Sequence, residues 1–314
     1  MINNPLVSII IPVFNGSEYM REAIESALAQ TYSNIEVIVV NDGSKDNGKT
    51  EKIALEYGEK IKYIYKENGG VSSALNIGIR YMTGEYFSWL SHDDVYVPDK
   101  IEKQIEVIKK NNLQNAVVKS FTNFIDKDSK LMNYKVPKTC ERVWEWDDAV
   151  QYVTKFGVNG CTLLIPKKVF EQVGGFDERL RYCQDTFMWW KIFLQGYSMV
   201  MCDHVGVYSR IHEKQLTRTG SALFHHDSKL ISESIIPEFV RKSTKTQNLL
   251  YEYAKKESIH GNKEVVKKCI QVGIQKKIIS KKEMIALMGF NIYGYVRPMI
   301  RMLYYKVIHG IRVR

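Results

Sequence analysis

The chain has 314 residues, 45 Lys and Arg against 35 Asp and Glu, a formal net charge of +10, and 45% hydrophobic residues. With 11% aromatics and only 7 Pro and 20 Gly, that composition excludes a disordered, collagen-like or low-complexity protein and leaves a folded chain long enough for one large core or two modest ones. The charge is unevenly placed: residues 241–314 hold 17 Lys and Arg against 4 Asp and Glu (+13), and the first 240 residues hold 28 against 31 (−3).

In chain order, the first 120 residues alternate between two periodicities. Val7–Val13 is a near-continuous apolar run of strand length, and a helical stretch over 17–30 follows it, with Ser17 in the capping position. Residues 35–40 read as a second buried strand and 50–57 as a second helix, and 61–65, 71–81 and 85–90 repeat the scheme as strand, helix and strand. Doubly apolar strands separated by helices predict a parallel sheet covered on both faces. Ligands of such sheets bind beyond the carboxyl ends of the strands. From 116 the pattern loosens, with strands expected at 116–119, 161–165 and 205–211 and helices at 147–155 and 185–195. Beyond Ala222 the chain turns helical and basic, with Lys pairs at 255/256, 267/268, 276/277 and 281/282. The segment 215–225 is the best boundary, dividing the chain into 1–220 and 221–314.

The five cysteines, Cys140, Cys161, Cys183, Cys202 and Cys269, are odd in number, widely spaced and form no C-x-x-C pair. This argues against a disulfide framework or a structural zinc site and for a reducing cytosol. No basic segment precedes the first apolar run, so no signal peptide is expected, and no apolar stretch reaches the roughly 18 residues of a membrane span.

Four strand ends deliver polar or glycine-rich tips: Phe14-Asn15-Gly16, Asn41-Asp42-Gly43-Ser44, Lys66-Glu67-Asn68-Gly69-Gly70 and Ser91-His92-Asp93-Asp94. One such tip is an ordinary turn. Four at one rim mark a ligand site. A competing reading is that Gly43-Ser44-Lys45-Asp46-Asn47-Gly48-Lys49-Thr50 satisfies the G-x-x-x-x-G-K-[ST] pattern of a phosphate-binding loop between a strand and a helix. Against it stand Asp46 inside the loop, Asp42 just before it, and the unexplained tip of the first strand.

Three longer stretches extend the set: Val7-Ser8-Ile9-Ile10-Ile11-Pro12-Val13-Phe14-Asn15, Val39-Val40-Asn41-Asp42-Gly43-Ser44 and Asn68-Gly69-Gly70-Val71-Ser72-Ser73-Ala74-Leu75-Asn76-Ile77-Gly78. With Ser91-His92-Asp93-Asp94, Gly174-Gly175-Phe176-Asp177-Glu178 and Gln184-Asp185, their order resembles that of the family 2 glycosyltransferases, inverting enzymes of GT-A fold. The resemblance covers about residues 5–212. It implies an α/β fold, a Rossmann-like and mostly parallel sheet flanked by helices, with a C-terminal helical extension. It further implies transfer of a hexose or N-acetylhexosamine from a UDP-sugar, with Mn²⁺ or Mg²⁺ as cofactor. The acceptor would be a hydroxyl of a growing cell-surface polysaccharide or glycoprotein glycan, lipid-linked or protein-linked.

Carried over residue by residue, the resemblance makes Asp42 the acceptor of a hydrogen bond from uracil, while Pro12, Val13 and Asn15 shape the base slot through their backbone. Glu67 and Asn68 end the third strand near that slot, and Gly70 lets the chain pass close to the nucleotide. Asp93 and Asp94 match the DxD-type motif, whose first position here is Ser91. A cation held by carboxylates offsets the charge of a departing diphosphate, and Asp94 is expected as the main metal ligand with Asp93 touching sugar or ribose. Asp185 is the expected general base, with Gln184 where the family usually has Glu. It is equally placed to cap the helix it opens. Of Trp189 and Trp190, one is expected in the core and the other stacked on an acceptor sugar. Tyr208-Ser209-Arg210-Ile211-His212 resembles the family's Y-R-x-H ending. It offers His212 as a metal or diphosphate contact and Arg210 or Arg218 as a neutralising cation. Asn76, on the helix whose N-terminus could face phosphate, reads equally as a site residue or as an exposed polar residue.

The basic tail shows no nucleic-acid module. Residues 290–314, with Arg297, Arg301, Lys306, Arg312 and Arg314 among Tyr, Ile, Met and Leu, suit an amphipathic interfacial helix or a homo-oligomer contact with a solvated basic face. The expected setting is cytoplasmic, with a peripheral contact at the inner membrane face. Two alternatives stay open: a phosphate-loop nucleotidase, and a catalytically silent GT-A-like binding or scaffold protein.

Overall fold

The structure is a computed structural model that describes residues 4–113, 115–134, 141–213, 215, 221–278, 280, 282, 286 and 289. Among them nine strands form one sheet: β1 (Val7–Val13), β2 (Ile35–Asp42), β3 (Lys62–Lys66), β4 (Tyr86–Trp89), β5 (Val95–Tyr96), β6 (Val117–Ile125), β7 (Arg142–Trp144), β8 (Leu163–Pro166) and β9 (Met199–Arg210). Their order is β3-β2-β1-β4-β8-β6-β9-β5, with β7 on β9. Pairing is parallel across β3, β2, β1 and β4 and again between β6 and β9. The short β8 reverses direction between β4 and β6, so β6 and β9 run the same way as β1 and end on the same rim. All seven residues of β1 are buried, as a strand covered on both faces requires.

The helices of the sheet unit are α1 (Met20–Leu28), α2 (Lys49–Leu55), α3 (Val71–Tyr81), α4 (Lys100–Asn111), α6 (Lys168–Val173) and α7 (Gln184–Leu194), and α5 (Trp146–Phe156) precedes α6 in the chain. Met20, Ala23, Ile24 and Ala27 give α1 one buried stripe at helical spacing. Gly78 of α3 lies so close over β1 that a Cβ there would meet the Ile10 side chain. α4 is absent from the expected helices because its sheet-facing side carries Lys100 and Gln104. The Lys100 Nζ donates to Ser88 Oγ at 3.0 Å and Gln104 Oε1 at 2.9 Å, and burial pushes its pKa down to about 7. β6 likewise outruns its apolar stretch, since the buried Ser120 satisfies its hydroxyl on the Thr162 carbonyl at 3.2 Å.

The described residues divide into two compact units, one drawn from 1–149 and 158–221 and the other from 150–157 and 222–314. The second contains α8 (Ser221–Lys242), α9 (Thr246–Ile259) and α10 (Lys263–Gln275). Phe239 of α8 meets Tyr253 of α9 edge-on at 6.1 Å, and Val265, Val266 and Cys269 are the buried side of α10. No described helix is long and apolar enough to cross a membrane. The described cysteines, Cys161, Cys183, Cys202 and Cys269, are buried thiols. Cys140, Arg218, Lys281 and the stretch 290–314 lie outside the described residues.

Candidate active site

The rim formed by the ends of β1, β2, β3, β4 and β9 gathers the expected residues into two corners. In the first, β2 ends on Asp42, which is 3% exposed. Its Oδ1 accepts from Lys66 Nζ at 2.6 Å and Gly69 N at 2.9 Å, and its Oδ2 from Gly70 N at 2.7 Å and Asn68 Nδ2 at 3.1 Å. A carboxylate has about four acceptor positions. All four are engaged by its own chain, so Asp42 shapes the turn 66–70. Gly70 holds φ +87°, and a side chain there would run into Arg181, whose Nη1 donates to the Gly69 carbonyl at 2.6 Å. Arg181 therefore adds a cation over this turn that the sequence reading did not single out. Asn15 holds φ +51° and ties the β1 tip to the next one, its N–H donating to Ser44 Oγ at 2.9 Å and its Oδ1 accepting from Lys45 N at 2.7 Å. Pro12 and Val13 are buried, consistent with a backbone role, while Glu67 and Asn68 are exposed.

The phosphate-loop reading fails on geometry. The Asp46 carboxylate sits at the start of α2, accepting from Thr50 N at 3.0 Å and from Thr50 Oγ1 at 2.6 Å. Burial works to raise its pKa, but these bonds prevail and hold the carboxyl below its ordinary range. An anion already fills the place a phosphate would take.

In the second corner, Asp93 and Asp94 follow β4 and meet the end of β9. Asp94 is turned inward: its Oδ1 accepts from Arg210 N at 2.9 Å and Ser209 Oγ at 3.0 Å. Burial, and then the neighbouring Asp93 charge, push its pKa up to about 7. The carboxylate expected as the main metal ligand is thus buried and braces the end of β9. Asp93 is the one presented, with its side chain 17% exposed and Oδ2 at 3.0 Å from His212 Nε2. Ser91, where the family pattern has an acid, places both its N–H and its hydroxyl 3.3 Å from the Cys161 sulfur. Arg210, expected to neutralise diphosphate, is 1% exposed and spends its guanidinium inside the protein.

Among the described residues no three His, Cys, Asp or Glu are arranged to hold a metal alone. A carboxylate oxygen and an imidazole nitrogen, both partly exposed, nevertheless fit an ion whose remaining positions go to water and substrate phosphate. Asp93 and His212 are the residues that would hold it.

Asp185 opens α7, and its Oδ1 accepts from Thr186 N at 2.5 Å. The chain leading to it is docked along the rim, where the Leu180 carbonyl accepts from Ser72 Oγ at 3.4 Å. Asn76, for which the sequence left a site role and an exposed position open, pins the 174–178 loop. Its amide donates to the Phe176 carbonyl at 2.9 Å and to Glu178 Oε1 at 2.8 Å, and its Oδ1 accepts from Phe176 N at 2.8 Å. Trp189 and Trp190 are both buried, so neither is placed to stack on an acceptor sugar. Trp189 donates to the Val158 carbonyl at 3.2 Å and meets Phe176 edge-on at 6.0 Å. A separate cavity of about 600 Å³, lined by Asn112, Lys168, Gln172 and Tyr197 among others, opens at the opposite end of β6 and β9 and contains none of these acids.

The family described as Glycosyl transferase family 2 matches residues 8–174. The chain belongs to glycosyltransferase family 2. Among similar proteins, an uncharacterized glycosyltransferase of Rickettsia typhi (strain ATCC VR-144 / Wilmington) is 47% identical over 247 residues, 79% of this chain and 75% of the relative. One of Rickettsia bellii (strain RML369-C) is 50% identical over 218 residues, 69% of this chain, and the transferase spans only 31% of that relative's length. The crystal structure of S. aureus TarS 1–349 has the same fold, with a TM-score of 0.66 at 16% identity over 98% of this chain and 93% of that one. That TarS segment has also been solved in complex with UDP-GlcNAc, with the same likeness.

Proposed function

We propose that this glycosyltransferase moves a hexose or N-acetylhexosamine from a UDP-sugar, with inversion, to a hydroxyl of a growing cell-surface glycan. The observation that carries this is the presented Asp93–His212 pair where the turn after β4 meets the end of β9, on the rim shared with the Asp42 and Asn15 turns and flanked by the segment that leads to Asp185.

The division of labour follows from what each side chain has left to offer. Asp42, Lys66 and Asn15 hold the turns that bound the nucleobase slot, and Arg181 over Gly69 is placed to meet negative charge on the donor. Asp93 and His212 would hold Mn²⁺ or Mg²⁺, which when bound offsets the charge of the departing diphosphate. Asp185 takes the acceptor hydroxyl's proton as the oxygen bonds to the anomeric carbon and the bond from that carbon to the diphosphate breaks, releasing UDP. At the start of α7 its carboxylate is held by the Thr186 N–H.

UDP-GlcNAc is the first donor to test, because the structurally similar TarS binds it. The basic segment 241–314 would keep the enzyme at an anionic surface near lipid-linked acceptors. UDP release from a panel of UDP-hexoses, with Mn²⁺ or with EDTA, tests the reading. Release should require the metal and be lost in Asp185→Ala, and metal-independent release untouched by that change overturns it.

A further inference from the structure

We propose that Arg210 is a positioning residue that fixes Asp93 and His212 relative to each other, so that the pair is set for a cation before one arrives. The inference rests on the metal reading of that pair, and deepens it from the two ligands to what holds them.

Arg210 ends β9, two residues before His212, and its side chain is almost fully enclosed. Its Nε donates to the Asp93 carbonyl at 2.9 Å. Its Nη1 donates to Ser129 Oγ at 2.8 Å and to the Asp126 carbonyl at 3.2 Å, and its Nη2 to Glu22 Oε2 at 2.5 Å. Ser129 Oγ in turn donates to the same Glu22 oxygen at 2.9 Å. The guanidinium lies over the Tyr19 ring at 4.5 Å, and that ring packs against the His212 imidazole at 5.2 Å.

Two features make this more than a buried ion pair. The first is reciprocity. Residue 210 gives its backbone N–H to the Asp94 side chain, while its own side chain holds the Asp93 backbone carbonyl. Neither strand end can slide without breaking both bonds. The second is reach. One side chain joins the start of α1, the 126–129 turn and the acidic turn, three segments far apart in sequence, and its Tyr19 contact continues to His212. Only a planar fork with five donors can do this, and an ammonium on a flexible stem cannot. Groups that orient metal ligands from behind typically change metal affinity by about 10–100-fold when altered.

The test uses the full chain and reads Mn²⁺ binding directly, by titration with saturating UDP, together with the melting temperature. Asp93→Ala should lose the Mn²⁺ site. Arg210→Lys should bind Mn²⁺ about ten-fold more weakly or worse. Glu22→Gln, whose amide oxygen still accepts from Nη2 without the charge, should weaken it about three-fold with melting close to wild type. An Arg210→Lys protein that melts earlier but binds Mn²⁺ as the wild type does would show a purely structural arginine and overturn the proposal. Should Arg210→Lys fail to fold, Glu22→Gln decides in the same way, with unchanged Mn²⁺ affinity counting against. Wild-type protein that binds no Mn²⁺, or Asp93→Ala protein that binds it normally, would instead overturn the metal reading itself and the proposal with it.

Discussion

The two corners of the rim use their acids in opposite ways. At the end of β2, Asp42 is sealed in and accepts four hydrogen bonds from its own chain, two of them from the backbone of the turn it shapes. At the end of β4, Asp94 is also buried, with its Oδ1 taken by the Ser209 hydroxyl and the Arg210 N–H, but Asp93 beside it keeps its carboxylate partly exposed against His212, and its backbone carbonyl is held from behind by Arg210. What separates an acid that shapes the site from one that binds is how many of its acceptor positions the fold has already filled. Membership of a motif does not separate them, since Asp93 and Asp94 share one.

The largest expected effect lies on the presented side. Asp185→Ala should lower kcat by about 10²–10⁴, the usual worth of a positioned base, with the UDP-sugar KM nearly unchanged. A rise in KM at constant kcat in steady-state UDP release would make Asp185 a binding or capping residue and take it out of the comparison. Next comes the adjacent pair, where an amide can still accept both bonds that Asp94 Oδ1 accepts but is a poor ligand in place of Asp93. Asp93→Asn should therefore cost about 100-fold in metal-stimulated turnover, and Asp94→Asn less than about ten-fold. The reverse ranking, measured across a Mn²⁺ titration, would exchange the roles of the two acids.

Much of this site is legible in the sequence, and the parts that are not share a cause. The apolar runs of β1 and β2 and the polar tips after them are local, so periodicity finds them and the topology then places them on one rim. The meeting of Asp93 with His212 spans 119 residues and depends on β8 reversing between β4 and β6, which no local pattern announces. Which of two neighbouring aspartates faces outward depends on the turn that carries them. The two tryptophans were beyond reach for a different reason. α7 buries Met188, Trp189, Trp190, Ile192, Phe193 and Leu194, and a helix apolar nearly all round has no periodic face from which an exposed member could be read. The role of Asn76 stays open in the sequence because its partners, Phe176 and Glu178, come about a hundred residues later.

A smaller effect sharpens the comparison at the phosphate-loop look-alike. Asp46 is another acid whose oxygens are taken by its own chain, here by both the N–H and the hydroxyl of Thr50. Asp46→Ala should cost about 1 kcal/mol, the worth of the hydrogen bonds it accepts from Thr50, visible as a melting shift of a few degrees. Lys49→Ala should leave UDP affinity unaltered in a direct binding titration. Loss of nucleotide binding in Lys49→Ala would return the loop to the binding side.

The smallest effect carries the contrast into the helical unit, where Glu257 is buried with fewer partners than Asp42. Its oxygens accept from Ser228 Oγ at 3.2 Å and Asn262 Nδ2 at 3.0 Å, and burial outweighs both, raising its pKa from 4.5 to about 7. Between those two values the folded chain keeps a proton that the unfolded chain has released. Stability therefore falls as pH rises through that window and levels off above it, with an upper bound on the order of 3 kcal/mol. Glu257→Gln is neutral at every pH, and Asn262 can turn its amide to suit the new partner. The variant should melt close to wild type near about pH 4.5 and progressively higher than wild type up to about pH 7, with the gap constant beyond. A gap that does not change with pH would mean that Glu257 is held as a carboxylate in the folded state. The two hydrogen bonds would then suffice for charge, and the number of filled acceptor positions would no longer separate the acids of this protein.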